Sequence, residues 1–85
     1  MPPWKIVLDE DALHAFISRP ANERRKLIAL FHQMKNDPYR RADFVRNMSN
    51  SQPLSVRAEN PFMVTYWLDS LVNEIRIVAI QKVKF

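Results

Sequence analysis

From Leu54 to Lys84 the chain alternates between two classes of side chain with a period of two. Leu54, Val56 and Ala58 are spaced by Ser55, Arg57 and Glu59. Phe62, Val64, Tyr66 and Leu68 are spaced by Met63, Thr65, Trp67 and Asp69. After a polar break at 69–74, residues 74–84 are again rich in β-branched side chains. Successive side chains on a strand point to opposite faces of a sheet. Period-two runs parted by short polar turns therefore predict an antiparallel meander.

The residues before this stretch read as its cover. Trp4, Ile6 and Leu8 alternate with Lys5 and Val7, so 3–8 is expected to be a first strand. Asp9 is placed to cap a helix whose apolar stripe is Ala12, Leu13, Phe16 and Ile17. Pro20 ends that helix and fits the opening of the next, whose stripe is Leu27, Ile28, Leu30, Phe31 and Met34. The connection is so short that the two helices form a hairpin. Asp37 and Pro38 stop the second helix. A short edge strand is expected within 42–47, and 48–53 is a turn by composition.

The expected fold is thus α+β, one domain over 1–85: an N-terminal strand, a two-helix hairpin, then an antiparallel β-meander with both helices on one face of the sheet. The expected core is Trp4, Ile6, Leu8, Leu13, Phe16, Ile17, Leu27, Ile28, Phe31, Val56, Val64, Tyr66, Ile75 and Ile77.

Composition narrows the chemistry. The chain has 85 residues, enough to bury about 60–65% of its unfolded surface around a modest core. It contains no glycine, which excludes phosphate-cradling glycine loops and leaves turns to Asn, Asp, Ser and Pro. It contains no cysteine, so disulfides and thiolate zinc sites are excluded, in keeping with a cytoplasmic protein. His14 and His32 lie on separate helices without acidic or thiol companions, so no metal site and no cofactor are expected. No apolar run approaches the length of a membrane span, and the N-terminus lacks a signal-peptide pattern. The net charge is +4, from 13 basic and 9 acidic residues. Residues 1–34 carry +1 (5 basic, 4 acidic) and residues 35–85 carry +3 (8 basic, 5 acidic). That balance suits nucleic acid or an acidic protein partner, and is also common in small proteins that bind neither.

The sheet face turned away from the helices is expected to present Met63, Trp67, Val78 and Ile80, ringed by Arg57, Arg76, Lys82 and Lys84. An apolar patch of this kind suits a protein partner. An aromatic among cations also suits single-stranded nucleic acid, with Trp67 stacking a base and Arg40, Arg41, Arg46 and Arg76 neutralising phosphates. A register slip of one residue would exchange the two faces. No Ser/His/Asp arrangement or telling pair of carboxylates appears; any RNA cleavage would fall to Lys and Arg.

Several stretches together resemble one family: WKIVL at 4–8, RRKLI at 24–28, Asp37-Pro38 followed by RRADF at 40–44, FMVTYWLD at 62–69 and EIRIVAI at 74–80. They look like the RelE/ParE superfamily of bacterial type II toxin–antitoxin systems, over nearly the whole chain. The resemblance implies a cytoplasmic toxin held by a cognate antitoxin, and leaves a homodimer open. RelE-like members cleave mRNA on the ribosome, and that action or a degenerate form of it is the one the resemblance implies here; the alternative is a ParE-like toxin or binding module that inhibits a protein such as DNA gyrase without cleaving RNA. The resemblance places Arg57, Lys82 and Lys84 nearest the family's catalytic cations. Met63 stands where a RelE-like toxin tends to carry arginine, and the chain ends at Phe85 without the usual arginine and C-terminal tyrosine or histidine. Weak cleavage or none is therefore expected.

Overall fold

The computed structural model describes residues 3–46 and 53–83. Seven elements follow in order: β1 (Lys5–Leu8), α1 (Glu10–Ile17), α2 (Ala21–Asn36), β2 (Phe44–Arg46), β3 (Leu54–Glu59), β4 (Phe62–Asp69) and β5 (Glu74–Lys82). The strands form one sheet in the order β1-β5-β4-β3-β2. β2 to β5 pair antiparallel, as the alternation predicts, and β1 lies parallel to β5. The N–H groups of Lys5 and Asp9 clamp the two ends of β1 by donating to the carbonyls of Asn73 and Ile77, both at 2.9 Å. The expected turn at 48–53 lies outside the described residues except for Pro53.

The helix boundaries follow local chemistry. α1 begins after Asp9, which is extended and places Glu10 and Asp11 in the first, electropositive turn. α2 begins after Pro20, whose carbonyl accepts from the N–H groups of Glu23 and Arg24, both at 3.0 Å. Without glycine, the β4–β5 turn uses Asn73 at φ 54°, a left-handed conformation that asparagine tolerates best among the other residues. The Asp69 carboxylate supports the same turn by accepting from the Leu71 N–H at 3.2 Å.

Both helices lie on one face of the sheet and share one core with it. Ala12, Leu27, Leu30, Phe31 and Met34 meet Phe62, Val64, Tyr66, Ile75, Ile77 and Ile80, with Trp4, Ile6, Leu8 and Phe16 packed against them. The Phe16 and Phe31 rings lie 6.1 Å apart. Three expected core residues, Leu13, Ile17 and Ile28, are instead exposed. Each helix is wider in apolar sequence than the stripe it buries: α1 turns Ala12, Ala15 and Phe16 inward, and α2 turns Leu27, Leu30, Phe31 and Met34 inward. Val56 is buried as expected, but outside this cluster, on the other side of the sheet.

One irregularity rearranges the second face. Thr65 pairs with Ala79 but Tyr66 pairs with Ile77, so Val78 is an extra residue, a β-bulge. Beyond it the alternation of β5 shifts by one. Ile80 pairs with Val64 and joins the core at 9% exposure, rather than standing with Val78 on the helix-free face.

Candidate functional site

The ladder sorts the side chains into two surfaces. The helix-free face is built by Leu54, Val56 and Ala58 of β3, Met63, Thr65 and Trp67 of β4, and Arg76 and Ala79 of β5. Phe44 and Arg46 extend it across β2. Met63, Trp67 and Val78 are half-buried, and Val56 and Thr65 are buried. The face is therefore mainly apolar, with Trp67 as its largest side chain.

Arg76 is its central cation, and that charge is engaged. Its guanidinium lies 5.8 Å from the Trp67 ring centroid, which favours the cation over the π-face. Its Nη2 donates to Glu74 Oε1 at 2.9 Å, and its Nε lies 3.9 Å from Asp69 Oδ2. Two carboxylates thus offset one guanidinium, leaving the Trp67 corner without excess positive charge.

The other expected cations stand elsewhere. Arg57 pairs with Val64, a core residue, so it lies on the helix-bearing side and is only 4% exposed. Lys82 pairs with Phe62, also on that side, and its Nζ donates to Glu23 Oε2 of α2 at 3.0 Å. The expected ring of Arg57, Arg76 and Lys82 around one face is therefore split between two. The cause for Lys82 is the Val78 bulge. For Arg57 it is that Arg57 takes the phase of Val64, not of Met63. Lys84 lies outside the described residues. Arg40, Arg41 and Arg46 are exposed around the β2 edge, Arg46 on the helix-free face and Arg40 toward the helix-bearing side.

On the helix-bearing side, beyond the helices, Arg57 belongs to a polar group that the alternation pattern alone did not single out. Ser55 pairs with Tyr66 on the same face, one ladder step from Arg57. Asp43 enters β2 there: its N–H donates to the Val56 carbonyl at 3.0 Å and its Oδ2 accepts from the Ala58 N–H at 2.8 Å. Burial raises the Tyr66 pKa above its ordinary 10.0; Arg57 opposes this, Asp43 adds to it, and the Ser55 hydroxyl and Arg40 oppose it. The phenol is therefore a hydrogen-bond donor at neutral pH. The sequence signal for this group was the i, i+2 spacing of Ser55 and Arg57.

A pH dependence follows. The folded state holds the Tyr66 proton more tightly than the unfolded state, so its contribution to stability is fully present below about pH 10 and is lost as pH rises through the folded pKa. Phenolate absorbance is expected to show one tyrosine titrating late, and Tyr66→Phe is expected to remove that step. A late step that persists in Tyr66→Phe would contradict the assignment.

Among the described residues, no group of three His, Cys, Asp or Glu side chains converges to hold a metal ion. No helix among them is long and apolar enough to cross a membrane.

No protein-family model matches the sequence, and no curated protein matches it. Solved structures do match its fold. The isolated E. coli RelE toxin superposes with a TM-score of 0.79 at 14% identity, covering 96% of this chain and 86% of that one. The toxin–antitoxin complex RelBE of E. coli gives 0.77 at 14% identity, covering 96% and 99%. The archaeal RelE–RelB complex from Pyrococcus horikoshii OT3 gives 0.73 at 13% identity, covering 95% and 96%. The fold is that of RelE toxins.

Proposed function

We propose that this chain is the toxin-fold member of a toxin–antitoxin pair, cytoplasmic, and that it works by binding protein through the helix-free face of its sheet. One observation carries the reading: that face is mainly apolar around Trp67, and Arg76, the cation at its centre, is already engaged by Glu74 and Asp69. A surface that binds RNA and stabilises charge on a scissile phosphate needs uncompensated cations. An apolar strip with a half-buried tryptophan suits an apolar helix or strand of a partner chain. Two of the fold's neighbours are complexes of RelE with RelB, which supports an antitoxin as that partner. A toxic action, in this reading, is inhibition of a protein target such as DNA gyrase.

The second reading is ribosome-dependent mRNA cleavage by Arg57, Lys82 and Lys84, with Arg40, Arg41, Arg46 and Arg76 along the RNA. It is favoured by the meeting of Arg57 and Tyr66, a cation beside a donor hydroxyl. Induced expression followed by mapping of mRNA ends separates the two. Growth arrest without new mRNA ends is the expected result. Ribosome-dependent cleavage that falls about 100-fold or more in the triple variant Arg57→Ala, Lys82→Ala, Lys84→Ala would establish the second reading instead.

A further inference from the structure

We infer that the outward seam between α1 and α2 is a second docking surface, and that its occupant is an acidic amphipathic helix of another protein. The seam lies on the side of the helix pair away from the sheet, so it does not rest on what the helix-free face binds.

The argument starts from three aliphatic side chains that helical spacing predicts to be core and that stand in solvent instead. Leu13 is 43% exposed, Ile17 56% and Ile28 42%. Single exposed apolar residues are ordinary, whereas a contiguous group of them marks an interaction surface. The contacts between the helices make these three contiguous. Arg24 Nη1 donates to the Ile17 carbonyl at 3.5 Å, and the Phe16 and Phe31 rings lie 6.1 Å apart. Ile28 follows Arg24 by four residues and precedes Phe31 by three, so it stands on the same side of α2, toward α1. Leu13 precedes Ile17 by four residues and continues the row along α1. The shared core closes without this row.

Charge identifies the occupant. Arg24 and Arg25 lie one turn before Ile28, and His32 and Lys35 lie one and two turns after it. Among the described residues, no carboxylate pairs with Arg24, Arg25 or Lys35. Glu10 stands one turn before Leu13, but Glu23 is drawn away from the seam by Lys82 and Arg19. The row is therefore aliphatic with a cationic border on α2, where Arg24, Arg25 and Lys35 outnumber Glu10. A second copy of the chain would set these cations against their own kind. Nucleic acid would find the charge, but the row exposes aliphatic side chains and no ring on which a base could stack. A helix with Leu or Ile at i, i+3, i+4 and i+7 and Asp or Glu on its flanks meets both requirements.

The test titrates the full chain with a synthetic amphipathic peptide that has leucine at those spacings and glutamate on its flanks. The same peptide with lysine for glutamate, and a short single-stranded oligonucleotide, are titrated in parallel. Methyl resonances of Leu13, Ile17 and Ile28 are followed by NMR. The acidic peptide is expected to shift all three saturably, with a Kd that rises with salt, where the lysine peptide does not. Ile28→Glu is expected to weaken it about tenfold or more. Arg25→Glu, at an exposed position where folding is not at stake, should weaken it about threefold or more. Trp67→Glu should leave it unchanged, which separates this surface from the helix-free face. Equal binding of the acidic and lysine peptides would overturn the inference. So would binding retained in both seam variants, binding lost in Trp67→Glu, or tighter binding of the oligonucleotide. Methyl shifts that grow with protein concentration alone would assign the seam to a second copy and overturn it too.

Discussion

Ile77→Ala is expected to lower the unfolding free energy by about 3 kcal/mol, the usual scale for removing a buried isoleucine side chain and leaving part of its volume empty. Ile77 is fully buried on the interior strand β5, between Tyr66 of β4 and Leu8 of β1. No neighbour on either side can move in without disturbing a ladder. A chain of this length has a total stability of roughly 4–13 kcal/mol, so the loss is about a fifth of it or more. Ile28→Ala, on the outward side of α2, makes the contrast: a change within about 0.5 kcal/mol is expected there. Urea unfolding of the two variants decides the matter, and equal midpoint shifts would show that the core has been misplaced.

Trp67→Glu is expected to weaken the complex with the partner protein by about 2 kcal/mol or more, roughly 30-fold in Kd, because a half-buried aromatic on an apolar face is a typical anchor. The variant also removes the ring beneath Arg76 and adds a third carboxylate beside Glu74 and Asp69. The fold should survive, since Trp67 lies outside the shared core. Co-purification with an antitoxin-like protein encoded beside this chain, followed by a titration of the pair, measures the effect. An unchanged Kd with intact circular dichroism would move the interface to another surface.

The fold was legible in the sequence because two periodicities carry it. Period two between Leu54 and Lys82 specified three strands, and the stripes of α1 and α2 specified two helices on one side. The parallel partnership of β1 with β5 left no local signal, since it is set by residues that meet only after the helices have turned the chain back. The surface was less legible than the fold. Val78 looks like any other β-branched strand residue, yet as an extra residue it moves Ile80 and Lys82 to the opposite face from the one their count implies. Arg57 reads as a solvent-facing cation between Val56 and Ala58, whereas the ladder pairs it with Val64. Leu13, Ile17 and Ile28 show the converse: apolar residues at helical spacing whose angle on the helix carries them just past the buried stripe.

The position of β5 has a consequence for how the molecule is assembled. The strand that joins both halves of the sheet is also the last described element to leave the ribosome. Until it emerges, β1 has no strand to pair with, the helix pair lacks the Ile75, Ile77 and Ile80 part of its core, and β2 to β4 form a three-stranded fragment with the edge of β4 unpaired. Pairing Lys5 with Glu74 closes a loop that spans most of the chain, a step whose entropic cost comes before its contacts can form. Folding of this domain is therefore deferred until β5 has emerged, and then joins two separate parts of the sheet at once. A nascent chain halted before Glu74 would expose the inner edge of β4 and the apolar sides of both helices, leaving it open to chaperones and proteases rather than partly active.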